Sequence, residues 1–208
     1  MSLYTFRDIC LIRHGATAYN AEGGGIDRIR GWKNVPLSDE GRRQVQELAE
    51  KLKNSGIKFI VSSDLDRARE TAEAIARRTG ADLVLSQKFR PWDLGEYTGQ
   101  ESMAVHPVMV KAARERPHRP VPGGESFADF RGRVFSGLRE FMAQKRDERM
   151  AIVTHHRDER LIHAWIALGS PANEAIDMNV MFRRGEGTAH HCHVRIDLNT
   201  LYGMVESK

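Results

Sequence analysis

Arg13 and His14 follow the short apolar run Ile9-Cys10-Leu11-Ile12, and the chain turns at once at Gly15. Arginine offers a planar, permanently charged fork suited to phosphate oxygens. A neutral histidine carries a nitrogen lone pair that can attack phosphorus. The same residue types recur at two further places. Ser62-Ser63-Asp64-Leu65-Asp66-Arg67 ends a second apolar run and sets Arg67 at the start of a helix, where free backbone N–H groups also favour anions. Thr154-His155-His156 ends a third, Met150-Ala151-Ile152-Val153. Two arginines and two histidines therefore leave the carboxyl ends of three strands, where open α/β sheets bind ligands. The combination fits transfer of a phosphoryl group, with one imidazole attacking and the other groups neutralising the phosphate oxygens. An isolated Arg-His dipeptide is common surface decoration; the case rests on three strand ends sharing one chemistry.

Those residues need a sheet to hold them, and the pattern of the chain predicts one. Strands alternate with helices, as in an α/β domain with a largely parallel sheet. After the first strand a glycine-rich loop, Gly23-Gly24-Gly25, runs to Pro36. Ser38 reads as an N-cap with Asp39 and Glu40 in the first turn, and Val45, Leu48, Ala49 and Leu52 follow at helical spacing, ending near Gly56. Strand 58–62, a helix from Asp66 to Thr79 stopped by Gly80, and a short strand 82–85 come next. Residues 88–125 hold five of the seven prolines and read as an irregular lid with a short helix around Met103 to Arg116. A helix from Ser126 to Lys145, strand 150–154 and a helix from Asp158 to Leu168 follow, and Ala175 to Val205 reads as one or two further strands. No composition shift marks a linker, so residues 1–208 are expected to form a single domain.

Composition bounds the partners. The apolar runs are strand-sized, so no membrane span is expected, and the amino terminus lacks the pattern of a secretory signal. Cys10 falls in a buried strand far in sequence from Cys192, which argues against a disulfide and for a cytoplasmic location. A formal charge of +4 and a pI near 9.2 favour anionic partners. Basic residues gather in two segments, Arg28, Arg30 and Lys33 and then Lys111, Arg114, Arg116, His118 and Arg119. They read as an electrostatic funnel for a multiply anionic small molecule or as a solvated surface. No aromatic residues interleave with them as nucleic-acid stacking requires.

Leu11-Ile12-Arg13-His14-Gly15-Ala16-Thr17-Ala18-Tyr19-Asn20 resembles the signature of the histidine phosphatase superfamily, the phosphoglycerate mutase-like fold. Gly31-Trp32-Lys33-Asn34-Val35-Pro36-Leu37-Ser38, the stretch from Ser62 to Ala72, Gly123-Gly124-Glu125-Ser126 and Ile152-Val153-Thr154-His155 are similar to further motifs of that family. The resemblance implies a three-layer α/β/α sandwich with a mostly parallel central sheet. It implies His14 as the nucleophile that is transiently phosphorylated, with Arg13, Arg67 and His155 binding the phosphoryl oxygens. Thr17 and Asn20 would line the same pocket. No cofactor or metal is implied, because cationic side chains already surround the phosphate.

Two positions depart from the family pattern. Many members carry a glutamate, four residues before a glycine, that protonates the leaving group; here that position is Pro91. Asp93, Glu96 and Asp158 are the candidate replacements, with Asp93 favoured because it follows Trp92, which could desolvate it. Otherwise the enzyme has no dedicated acid and prefers a good leaving group such as an aryl or acyl phosphate, or phosphohistidine. His156 stands where the family usually has a small residue, and with Arg157 it either recruits a second anionic group or packs away. His163 reads as an ordinary helix-face residue. His190-His191-Cys192-His193 offers metal-ligating types, but strand alternation puts His191 and His193 on one face and His190 with Cys192 on the other, so the run alone cannot form a structural zinc site. The leading expectation is a phosphatase acting on a phosphorylated small molecule. The alternatives are mutase-type phosphoryl transfer and a non-catalytic phosphate- or phosphoprotein-binding module.

Overall fold

In the computed structural model, residues 6–20, 26–144, 148–183 and 188–202 are described; Gly23–Gly25, Lys145 and the end of the stretch running to Val205 lie outside them. Five strands form one sheet in the order β3-β2-β4-β1-β5. They are β1 (Phe6–Arg13), β2 (Phe59–Ser62), β3 (Asp82–Leu85), β4 (Met150–Thr154) and β5 (His191–Asp197). The first four are parallel, and β5 pairs antiparallel with β1 at the edge. The order β2-β4-β1 sets the three site-bearing strand ends side by side.

Apolar runs without alternation belong to strands buried on both faces, and the three central strands behave so. Ile9 and Leu11 of β1, Phe59 and Val61 of β2, and Met150 and Ile152 of β4 face one core, while Cys10, Ile12, Ile60, Ala151 and Val153 face the other. The second core is closed by α1 (Asp39–Leu52) and α2 (Asp66–Thr79), through Val45, Leu48, Ala68, Ala72 and Ile75. The first is closed by α3 (Ser102–Glu115), α4 (Phe127–Gln144) and α5 (His156–Ile166), with Phe130, Phe135, Leu138, Leu161 and Trp165 at its centre. The result is the expected three-layer sandwich. Ser38 caps α1 by accepting from the Gly41 N–H, and Gly80 ends α2 with φ of 70°. Among the described residues no helix is long and apolar enough to cross a membrane.

The structure corrects several boundaries. The strand β1 runs through Arg13, so that arginine is held in the sheet rather than in the turn. Around the 88–125 segment 3-10 turns stand at Gln87–Phe89 and Gly95–Tyr97, and the helix expected around Met103 to Arg116 is present as α3, one residue earlier at each end, with Pro107 inside it. The helix α5 starts at His156, two residues before Asp158. Among its described residues the last stretch supplies one strand, β5, flanked by the four-residue helices α6 (Met178–Met181) and α7 (Leu198–Leu201). Helices this short show no readable period; α6 is set instead by Asp177, which accepts from the N–H groups of Asn179 and Val180.

Candidate active site

The end of β1 is fastened on both sides. The His14 N–H donates to Thr154 O at 3.1 Å, the Arg13 N–H to His190 O at 2.9 Å, and the Ala189 N–H to His14 O at 3.0 Å. The chain then presses onto α1: a Cβ on Gly15 would sit 2.7 Å from Gly41 O, and one on Gly41 would sit 2.0 Å from Ala16 O. Only glycines allow the turn and the helix to approach this closely.

The two histidines are held in opposite tautomers. His14 Nδ1 lies 2.6 Å from Gly15 O; a carbonyl can only accept, so Nδ1 carries the proton and Nε2 keeps its lone pair. His155 Nδ1 instead lies 3.3 Å from Arg67 Nε, a donor, so Nδ1 accepts and Nε2 carries the proton. That buried Nε2–H has no hydrogen-bond partner among the described residues. The rings meet edge to face at 5.1 Å. Burial, followed by the charges of Arg67 and Arg13, holds the His14 pKa well below the usual histidine range. Burial and Arg67 do the same for His155. One imidazole can therefore attack and the other can donate.

Arg67 is 1% exposed and spans three acceptors. Besides His155, its Nη1 donates to Lys33 O and its Nη2 to Gly31 O, both at 2.9 Å. Burial lowers its pKa to about 9, with Arg30 acting the same way and Asp158 and Asp66 opposing, so it remains charged at neutral pH. The loop that supplies those carbonyls is itself sewn to the segment before α3. Ile29 N–H donates to Gln100 O, Gly99 N–H to Ile29 O, and Ser102 N–H to Asp27 O, at 2.7–2.9 Å.

These residues open on a cavity of about 850 Å³ lined by Arg13, His14, Asn20, Arg67, His155 and His156. Thr17 does not line it. The Thr17 hydroxyl and N–H both donate to Asn20 Oδ1, at 2.9 and 2.8 Å, so Thr17 aims the Asn20 amide rather than meeting a ligand. The lining also includes apolar side chains, Ile29, Trp92, Leu94, Met103, Met109 and Phe182, and the basic Arg28, Arg30, Arg157 and Arg183. His156 faces the cavity, and burial, then Arg13 and Arg157, push its pKa down to about 2. Arg157 sits 5.6 Å from the Phe182 ring with Nη2 3.9 Å from Met109 Sδ. Burial and Arg160 lower its pKa to about 10.

The candidate acids lie elsewhere. Asp93 is not a lining residue: its Oδ1 accepts from Gly95 N–H at 3.1 Å and its own N–H donates to Glu125 Oε1 at 2.9 Å, which makes it a turn cap. Asp158 is fully buried behind the wall, and desolvation raises its pKa well above the carboxylate range. Glu96 does not line the cavity either. Pro91 does, and it is pinned there, its carbonyl accepting from Trp32 Nε1 at 2.8 Å and Arg133 Nη2 at 3.3 Å. Of the basic segments, Arg28 and Arg30 reach the cavity, whereas Lys111 faces Glu115 and Arg114 donates to Asn179. Sequence reasoning missed the Gly31 and Lys33 carbonyls, because backbone groups leave no residue-type signal.

His190 and Cys192 share a face of β5 as alternation requires, and the rings of His191 and His193 meet on the other. They are not alone: α5 brings Glu159 and His163 against them, with His163 Nε2 3.4 Å from Cys192 Sγ. His163 thus lies, as expected, on a face of α5, the one turned to Cys192. None of the four lines the cavity.

Comparison with known proteins agrees with this architecture. The chain is 37% identical over 157 residues to phosphoglycerate mutase-like protein 4 of Arabidopsis thaliana, covering 72% of this chain and 66% of that one. A mycobacterial glucosyl-3-phosphoglycerate phosphatase superposes with a TM-score of 0.71 at 28% identity, covering 91% of this chain and 90% of the other. The Bacillus stearothermophilus protein YhfR, at 23% identity, shares the fold with a TM-score of 0.74 over 93% of both chains. The model of the histidine phosphatase superfamily, branch 1, matches residues 9–190. With both histidines and both arginines at the ends of adjacent strands, the chain belongs to the histidine phosphatase superfamily.

Proposed function

We propose that this protein is a phosphatase that hydrolyses a phosphomonoester through a phosphohistidine on His14, without a metal in the phosphoryl-transfer step. The observation that carries the reading is the pair of opposed tautomers: an Nε2 lone pair on His14 facing the same cavity as a partnerless Nε2–H on His155. His14 Nε2 attacks phosphorus as the ester P–O bond breaks. Arg13, Arg67 and the His155 Nε2–H take up charge on the non-bridging oxygens, the role a cation plays elsewhere. Water then attacks the phosphohistidine, releasing inorganic phosphate and restoring the His14 lone pair.

The leaving-group side sets the substrate. A departing alkoxide needs a proton, and a positioned acid contributes about 10²–10⁴-fold. Pro91 has none to give, and the Asp27 carboxylate in the cavity is engaged by Arg30 and Ser102. This favours aryl or acyl phosphates, whose leaving groups depart as stable anions. It also weighs against a mutase, which must protonate and deprotonate a sugar-acid hydroxyl in each cycle. Arg157, beside the Phe182 ring and the Met109 sulfur and in no salt bridge among the described residues, suits a second anionic group on the substrate.

The test is hydrolysis of p-nitrophenyl phosphate against a simple alkyl phosphate, with His14→Ala as control. Turnover of the aryl ester, an alkaline-stable phosphoryl group on His14, and slow alkyl turnover are expected. Phosphate binding with no turnover above His14→Ala would instead mark a binding module.

A further inference from the structure

Away from the cavity lining, α5 and β5 bring four metal-ligating side chains to one place. Cys192 Sγ lies 3.4 Å from His163 Nε2 and 4.0 Å from Glu159 Oε1, and His190 Nε2 lies 3.6 Å from that same oxygen. The ligating atoms of Glu159, His190 and Cys192 are all within 4.8 Å of one another. In a tetrahedral zinc site with bonds of about 2.0–2.3 Å, ligand atoms sit roughly 3.3–3.8 Å apart. The spacings among Glu159, His190 and Cys192 are close to those edges, while His163 Nε2 stands beside Cys192 Sγ, outside that triad.

The placement follows from two periodicities. Glu159 and His163 are four apart on α5 and so share a helix face. His190, immediately before β5, and Cys192, within it, are two apart in extended chain and so turn to the same side. The antiparallel register that pairs Cys192 with Leu11 then sets the strand face under the helix face. Two imidazoles, one thiol and one carboxylate make a borderline donor set that suits zinc. Glu159 is buried and the other three are half-buried, so an ion can enter from solvent yet be shielded once bound.

We propose that Glu159, His190 and Cys192, with the adjacent His163 turning its Nε2 in as the fourth ligand, form a structural zinc site that clips α5 to the edge strand β5. On binding, Cys192 releases its proton to solvent and ligates as thiolate, Glu159 ligates as carboxylate, and both histidines ligate through neutral Nε2. The two ligand charges cancel those of Zn²⁺, leaving a neutral centre that a half-buried position tolerates. All four positions are filled by protein, so the ion takes no part in phosphoryl transfer. Its effect is positional. The Glu159 N–H donates to His155 O at 3.0 Å, and His190 O accepts the Arg13 N–H at 2.9 Å. The ion would tie the helix that His155 precedes to the strand end that carries Arg13.

The test uses full-length protein stripped with a chelator and checked by elemental analysis. It is titrated with Zn²⁺ against a chromogenic chelator, and separately with Co²⁺ by absorption spectroscopy. One equivalent is expected, and the cobalt form should show a thiolate-to-metal charge-transfer band with the intense visible bands of a tetrahedral ion. Cys192→Ser should lose the charge-transfer band. His163→Gln should weaken zinc binding by more than the ~10–100-fold that loss of an outer-shell partner costs. Zinc should raise the melting temperature of the wild type and not of the variants. Absence of stoichiometric binding, an octahedral cobalt spectrum, or full binding in both variants would overturn the proposal. Should Cys192→Ser fail to fold, the wild-type cobalt spectrum and Glu159→Gln decide the matter.

Discussion

Replacing Arg67 with lysine keeps the positive charge and removes the geometry, which makes it the most informative single change. The guanidinium bridges Lys33 O and Gly31 O at 2.9 Å each and His155 Nδ1 at 3.3 Å. An ammonium on a flexible stem cannot hold three acceptors in one plane. At least two acceptors lose their partner, and an unsatisfied buried acceptor costs about 1–3 kcal/mol. Water entering from the cavity side recovers part of this, leaving a loss of about 2–4 kcal/mol. At ~2–4 °C per kcal/mol for a domain of this size, the melting temperature should fall by roughly 5–15 °C. Catalysis should suffer more. A missing preorganised donor costs about 10²–10³ in kcat, and His155 Nδ1 loses the partner that fixes its proton on Nε2. The assay pairs p-nitrophenyl phosphate turnover with alkaline-quench mass spectrometry of the His14 peptide and with thermal melts. Phosphoryl transfer to His14 should slow while inorganic phosphate still binds. A folded variant with near wild-type kcat would refute the idea that Arg67 works through its geometry.

Two further outcomes follow from the buried titratable groups. The folded-state pKa of His14 lies well below its ordinary value of 6.5, so its share of stability is present above pH 6.5 and is lost as pH falls through the folded value. Ring resonances of His14 should stay in the neutral form across pH 6.5 in an NMR titration, and a midpoint at or above 6.5 would contradict the burial argument. Asp158 has the opposite sign: its pKa is raised well above 3.8 by desolvation, so its carboxyl favours the fold below pH 3.8 and this advantage disappears as pH rises through the folded value. Asp158→Asn should therefore gain on the wild type with increasing pH in chemical denaturation; a pH-independent difference would show that the carboxyl is already solvated.

Much of this was legible because burial on both faces leaves a plain signature. The runs at 9–12 and 150–153 contain no polar interruption, and the residues that follow them, His14 and His155, had to emerge at strand ends. What failed to show were features with no side-chain pattern. Asp93 looks like an acid beside a tryptophan, but an aspartate two residues before a glycine serves equally as a turn cap, and only coordinates separate the two roles. The carbonyls of Gly31 and Lys33 carry no residue signature at all. His163 and Glu159 became partners of Cys192 only once the antiparallel pairing of β5 with β1 fixed which strand face meets which helix face, a long-range fact that no local window contains.

The short ribbon joining residues 27–29 to residues 99–102 has a further consequence. It makes one piece of chain serve as both the clasp on Arg67, through Gly31, and a wall of the substrate cavity, through Ile29 and Ser102. A wall that swings outward pulls on the carbonyl that holds the Arg67 guanidinium. The width of the cavity and the aim of the Arg67 guanidinium are thus mechanically coupled, whereas Met109 and Phe182 line the cavity without sharing in the ribbon's hydrogen bonds.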